Sequence, residues 1–197
     1  MTIYDLKPKF QDLLRPLVKY IYKLHITPNQ ITLLTCFLSI SMGLFLLLSH
    51  KEMFYLLPVF FFLRMALNAI DGMLAKEHNQ KTPLGAILNE VTDVLSDGFL
   101  YFSFMRFSFI NHNLLFFVIF LAALTEVAGL SVLINNKPRQ YSGPMGKSDR
   151  AFSFSVLSLF ISFYGASTLL YNGVLFFISI LLIITIYNRT IHSLSDN

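Results

Sequence analysis

The sequence predicts an all-α membrane protein, six transmembrane helices preceded by an amphipathic interfacial helix, and three observations carry that reading. Hydrophobic residues make up 55% of the 197 and charged residues only 13%, about half of what a soluble domain of this size carries; mean hydropathy is +0.62. The apolar residues gather into six runs, most of them near the ~20 residues that a bilayer core requires. The basic residues crowd onto one side of those runs, as cytoplasmic loops do.

In chain order, Met1 to Lys9 lacks the apolar core of a cleavable signal peptide, so these residues are expected to stay in the mature protein. Phe10, Leu13, Leu14, Leu17, Val18, Ile21 and Leu24 then recur at helical spacing with Lys19 and Lys23 among them. That pattern reads as a helix lying in the membrane interface, a plain anchor or a lid over a site. Residues 1–26 form this first unit and 27–197 the membrane domain, because Thr27-Pro28-Asn29 breaks the chain between them. The spans run from Ile31 to Ser49, Met53 to Ile70, Pro83 to Phe104, Leu114 to Ile134, Ala151 to Leu170 and Gly173 to Tyr187. The third is the least hydrophobic. Cys36 is the only cysteine and sits in an apolar run, so it reads as a small buried hydrophobe.

Lys7, Lys9, Arg15, Lys19, Lys23, Lys76, Lys81, Lys137, Arg139, Lys147, Arg150 and Arg189 fall on one side of these spans, against Lys51 and Arg106 on the other. Both termini are therefore expected in the cytoplasm. The net charge of +4 follows from topology and anionic lipid, and nucleic acid need not be invoked. Without paired interrupted segments in two halves, the transporter pattern is weak.

The chemistry concentrates between residues 68 and 97, where carboxylates and amides interrupt apolar helices. An ionisable group there is expensive unless it is paired or binds something. Asn68 and Asp71 lie three apart, and Asn89, Asp93 and Asp97 lie four apart, so each set projects from one helix face. Converging oxygens of this kind suit a hard divalent cation. Gly72 lets a ligand approach the backbone closely, Ala75 keeps that approach open, and Lys76 adds a cation suited to phosphate. Thr82-Pro83 starts the next helix, whose free amides favour an anion, and Gly85 leaves room on its first turn.

These residues resemble the CDP-alcohol phosphatidyltransferases, whose signature reads Asp, two residues, Asp-Gly, two residues, Ala-Arg, eight residues, Gly, three residues, Asp, three residues, Asp. Asp71-Gly72, Ala75, the spacer from Glu77 to Leu84, Gly85 and Asp93 match it in register. The Asn-Ala-hydrophobic-Asp-Gly-Met-Leu-Ala and Gly-Ala-Ile-Leu-Asn-Glu segments are closest to an enterobacterial-type branch of that family. The resemblance implies an enzyme of phospholipid biosynthesis in a bacterial inner membrane, multi-pass and usually a homodimer. It would transfer a phosphatidyl group from CDP-diacylglycerol to an alcohol acceptor and release CMP, with Mg2+ or Mn2+ as cofactor. It implies that Asn68, Asp71, Asn89 and Asp93 bind metal, that Asp93 is the catalytic base, and that Gly72, Lys76 and Thr82 contact the nucleotide lipid.

The sequence departs from the signature at three places: Asn68 and Asn89 stand for aspartates and Lys76 for arginine. Each asparagine keeps an oxygen and loses a charge. Glu90 or Asp97 could restore acidity, leaving one firmly held metal and a second that arrives with the substrate diphosphate. Asp97 and Glu126 are also natural partners for Arg64, which otherwise lies unpaired inside the second span.

Between the fourth and fifth spans, the segment from Lys137 to Arg150 carries four cations with Gly and Pro. Gly146-Lys147-Ser148 looks like the end of a phosphate-binding P-loop, but Tyr141 stands where the first glycine belongs and no strand precedes it. Lys147 and Arg150 either anchor the loop to the cytoplasmic side or bind a phosphate on the acceptor. Two other function classes stay open: a non-catalytic CDP-lipid-binding protein and a polytopic transporter.

Overall fold

A computed structural model describes residues 3–135 and 137–194 of the chain. Its described residues form seven α-helices: α1 (Ile3–Lys23), α2 (Pro28–Leu48), α3 (Leu56–Glu77), α4 (Pro83–Phe102), α5 (His112–Ser131), α6 (Lys147–Tyr164) and α7 (Thr168–Leu194). Short 3-10 turns at Lys51–Tyr55, Ser103–Arg106 and Val132–Asn135 join or extend them.

Local chemistry explains where most of these helices begin. Thr27 caps α2 reciprocally: its hydroxyl accepts from the Gln30 amide N–H while the Gln30 side chain accepts from the Thr27 N–H, and Pro28 occupies the first turn. Thr82 caps α4 by accepting from Gly85 N–H at 2.9 Å, again with Pro in the first turn. Asn111 caps α5 through Leu114 N–H. At α6, Gly146 N–H donates to Asp149 Oδ2 at 2.9 Å.

Among the described residues, four helical segments are long and apolar enough to cross a membrane: Pro28–Leu48, Lys51–Glu77, His112–Ile134 and Thr168–His192. α4 and α6, the other two spans expected from the sequence, exist as helices of 20 and 18 residues but are not among these four. The reason is chemical. Asn89, Glu90, Asp93 and Asp97 interrupt α4, and Lys147, Asp149 and Arg150 open α6.

α2 packs chiefly on α4, and α5 on α7, around one large apolar core that includes Leu46, Phe54, Tyr101, Phe154 and Leu175. Gly43 makes the first pairing possible, because a Cβ there would lie 2.5 Å from the Phe99 carbonyl oxygen. α1 docks on α3 through a second, smaller apolar cluster of Val18, Ile31, Ile70, Met73 and Leu74. Arg15 reaches Glu77 at 3.2 Å and Tyr22 stacks on His78 with ring centroids 3.8 Å apart. α1 therefore braces the end of α3, where the polar residues lie.

Candidate functional site

The C-terminal half of α3, the start of α2, the loop 80–82, α4 and the first residue of α6 enclose a cleft of about 440 Å3. α3 contributes Asn68, Asp71, Gly72, Ala75 and Lys76; the loop contributes Gln80, Lys81 and Thr82; α4 contributes Gly85, Ala86, Asn89, Glu90 and Asp93. Lys147 reaches it from α6. The helical spacing that put Asn68 with Asp71, and Asn89 with Asp93, on single faces thus turns both faces toward one space.

Asp93 is held at one of its two oxygens. Lys147 Nζ lies 2.5 Å from Asp93 Oδ1, Asn68 Nδ2 donates to that oxygen at 3.2 Å, and Arg64 does so at 3.3 Å. Oδ2 receives none of the three. Across the cleft, the buried Asp71 accepts a hydrogen bond from the Thr32 hydroxyl on Oδ2 at 2.9 Å. Desolvation pulls the Lys147 ammonium below the ordinary lysine range, opposed in part by attraction to Asp93.

The two glycines of the cleft differ. A Cβ on Gly72 would meet nothing within 4 Å, so that side of α3 faces open space. A Cβ on Gly85 would lie 2.6 Å from Asn29 Oδ1 and 3.0 Å from Thr82 Oγ1, so Gly85 serves the close approach of α2 and α4.

Behind the cleft lies a buried network of charges. Arg64, 3% exposed, pairs with Asp97 as well as Asp93. Arg150, 1% exposed, donates to Asp97 Oδ2 at 3.0 Å, Glu126 Oε1 at 2.9 Å and Thr125 Oγ1 at 2.9 Å. Arg139 and Arg189 also converge on Glu126, at 2.7 and 3.6 Å, and Arg139 pairs in addition with Glu90.

This network bears on five residues singled out in the sequence. Asp97 does not line the cleft; both its oxygens are taken by arginines. Arg150 does not line it either, and a guanidinium so enclosed is not available to an acceptor phosphate. Glu126 pairs with Arg139, Arg150 and Arg189, whereas Arg64 takes its partners from α4. Glu90 does line the cleft, with its charge shared with Arg139.

Asn29, Thr32 and Gln80 line the cleft without having been singled out in the sequence. Thr32 lies one turn beyond Pro28, and a hydroxyl at that place was the available signal. No spacing within α2 indicates which helix it faces.

Among the described residues no three Asp, Glu, His or Cys side chains converge as a metal-binding group. The donors lining the cleft are instead the carboxylates of Asp71 and Asp93 and the amides of Asn68 and Asn89. Because Asn68 turns its Nδ2 to Asp93, its carbonyl oxygen is left for another partner. An all-oxygen set with two negative charges fits one hard divalent cation.

A sequence profile of the CDP-alcohol phosphatidyltransferase family matches residues 25–186. The chain is 48% identical over 191 residues to the inner membrane protein YnbA of Escherichia coli (strain K12), covering 96% of this chain and 94% of that one. It is 31% identical over 101 residues to a phosphatidylinositol phosphate synthase of Corynebacterium glutamicum, covering 51% of this chain and 45% of the relative. The fold is similar to that of the Mycobacterium tuberculosis phosphatidylinositol phosphate synthase solved with CDP-DAG bound, with a TM-score of 0.72 at 16% identity, covering 90% of this chain and 91% of that one. The same protein in complex with manganese and citrate also matches at a TM-score of 0.72 and 16% identity, covering 90% of this chain and 87% of that one.

Proposed function

The chain belongs to the CDP-alcohol phosphatidyltransferase family, and on that premise we propose that its α3/α4 cleft is where a phosphatidyl group passes from CDP-diacylglycerol to an alcohol. The reaction is a displacement at phosphorus. The alcohol oxygen bonds to the phosphorus that carries diacylglycerol, the bond from that phosphorus to the bridging oxygen breaks, and CMP leaves with the electron pair.

The observation that carries the assignment is the one-sided hold on Asp93. Three donors fix Oδ1, so Oδ2 is the oxygen left to take the alcohol proton as the new bond forms. Lys76 and Lys81 line the same cleft and offset the charge of a diphosphate. Gly72 and Ala75 leave the α3 surface free for the nucleotide, and Thr82 and the first turn of α4 offer hydroxyl and amide groups to its phosphates. Asn68, Asp71, Asn89 and Asp93 would hold the divalent cation, with Glu90 beside them. When bound, Mg2+ or Mn2+ would neutralise negative charge that develops on the departing diphosphate oxygen.

The twelve-to-two bias of basic residues supports a protein of the bacterial inner membrane with both termini cytoplasmic, and α4 and α6 completing six spans. A homodimer is the assembly proposed. The activity test is incubation of purified protein with labelled CDP-diacylglycerol, Mg2+ or Mn2+ and a panel of alcohols, followed by lipid mass analysis. A new phospholipid with CMP release supports the reading; no product with any acceptor removes it in favour of CDP-lipid binding without turnover.

A further inference from the structure

The cleft is cationic on one side and mixed in charge on the other. Lys76 and Lys81 line it toward the loop 80–82, where the donor diphosphate is assigned. Toward α6 it is lined by Asn68, Asn89, Glu90, Asp93 and Lys147, and an alcohol that gives its proton to Asp93 Oδ2 must sit among these residues.

The charges on that second side are already matched. Asp93 Oδ1 takes Lys147 Nζ at 2.5 Å and Arg64 at 3.3 Å, and Glu90, three residues earlier on the same helix face, pairs with Arg139. Arg139 is committed twice, because it also donates to Glu126 Oε2 at 2.7 Å. Behind it, Arg150 and Arg189 share Glu126 but are 1% and 2% exposed, too enclosed to reach a ligand. Among the cations paired with Asp93 and Glu90, Lys147 and Arg139 keep exposed surface, whereas Arg64 is 3% exposed.

A phosphate monoester brings about −1.5 to −2 charges at neutral pH. To bind here it must draw Lys147 from Asp93, or Arg139 from Glu90 and Glu126, and so strand part-buried carboxylates. It would also meet the negative charge of Glu90. A hydroxyl group needs no such exchange, since it can donate to Glu90 and accept from Arg139 while the pair stays joined.

We propose that the acceptor is an alcohol that carries no phosphate, and that Glu90 sets this preference by occupying Arg139 and repelling a second anion. This rests on the cleft being the site of phosphatidyl transfer. Glu90 falls between the signature positions, so the preference belongs to this chain's own residues and not to the reaction in general.

The test uses the purified full chain in detergent with CDP-diacylglycerol and Mn2+, measuring CMP release and lipid mass. Glycerol, serine and inositol are compared as acceptors with glycerol phosphate and inositol phosphate. The best alcohol without phosphate is expected to exceed the best phosphorylated one at least tenfold in kcat/KM. Glu90→Gln keeps an oxygen for Arg139 and removes the charge, so that ratio should fall about tenfold, chiefly through a lower KM for the phosphorylated acceptors. Thermal unfolding verifies that the variant folds, and the wild-type comparison stands without it. A wild type that uses a phosphorylated alcohol as well or better overturns the inference and leaves phosphatidyl transfer in place. An unchanged ratio in folded Glu90→Gln overturns the role of Glu90. No product with any acceptor overturns phosphatidyl transfer, and this inference with it.

Discussion

Lys147, the first residue of α6, places its ammonium nitrogen 2.5 Å from Asp93 Oδ1 on α4, joining across the cleft two residues that stand 54 positions apart in the chain. The contact gives Lys147 a function other than membrane anchoring. It also ties the position of α6 to Asp93 Oδ1, the oxygen opposite the one proposed to take the alcohol proton.

Asp93→Asn should therefore abolish transfer without unfolding the protein. Asparagine is nearly isosteric and keeps an oxygen for Asn68 and Lys147, while Arg64 retains Asp97. General-base loss costs about 10²–10⁴-fold. CMP release measured beside thermal unfolding tests this: normal turnover by the mutant removes Asp93 as base.

Lys147→Met should leave Asp93 without its closest cation and the cleft with one charge fewer for the diphosphate. A charge-assisted hydrogen bond contributes about 1.5–3 kcal/mol, so the KM for CDP-diacylglycerol is expected to rise about ten- to a hundredfold. Lys147→Arg should recover part of it. An unchanged KM in Lys147→Met would restrict the lysine to orienting Asp93.

The paired motifs were legible in the sequence because helical spacing reports which residues share a face. Asn68, Asp71, Asn89 and Asp93 line the cleft, as do Gly72, Ala75, Lys76, Thr82, Gly85 and Lys147. Spacing does not report which faces oppose each other across helices. Arg150 looked like a free cation beside a loop, yet it is enclosed by Asp97 on α4 and Glu126 on α5. Glu126 pairs with Arg189 from α7, more than sixty residues away. Hydropathy marks α4 and α6 less clearly than the other four expected spans for a similar reason: both have helical length, but the charges they carry pair with neighbouring helices.

Gly72→Ala and Gly85→Ala should fail in different ways. The first adds a methyl group into open cleft, so the protein should unfold as wild type does and bind CDP-diacylglycerol more weakly. The second forces a methyl against Asn29 and Thr82 where α2 and α4 meet, and overpacking of that kind costs about 1–3 kcal/mol. Thermal unfolding in detergent with a lipid-binding assay separates them; equal stabilities would refute the clash at Gly85.

Arg150→Met should destabilise the fold and not merely weaken acceptor binding. It leaves Asp97 to Arg64 alone and strips Glu126 of a near partner in a buried setting. Breaking a buried pair by removing one member costs about 3–5 kcal/mol. The expected result is a large fall in unfolding temperature, while a mutant of wild-type stability with a selective rise in acceptor KM would return Arg150 to phosphate recognition.

The metal stoichiometry follows from the same count of charges. Asp71 is buried beside Thr32, and Asp93 already faces Lys147 and Arg64, so an incoming cation meets two carboxylates, one of them shared with protein cations. Asn68 and Asn89 add oxygens without charge, and neutral ligands hold a hard cation less tightly than carboxylates. One Mn2+ is expected to bind the protein alone, and a second only when CDP-diacylglycerol brings its diphosphate. Counting bound Mn2+ with and without the lipid decides the point, and two tight ions in the absence of lipid would contradict it. Asn89→Asp supplies the missing charge and should raise affinity for the first ion about tenfold, or about 1.4 kcal/mol, through added electrostatic attraction. If it does not, Asn89 lies outside the coordination sphere and Glu90 becomes the residue to exchange.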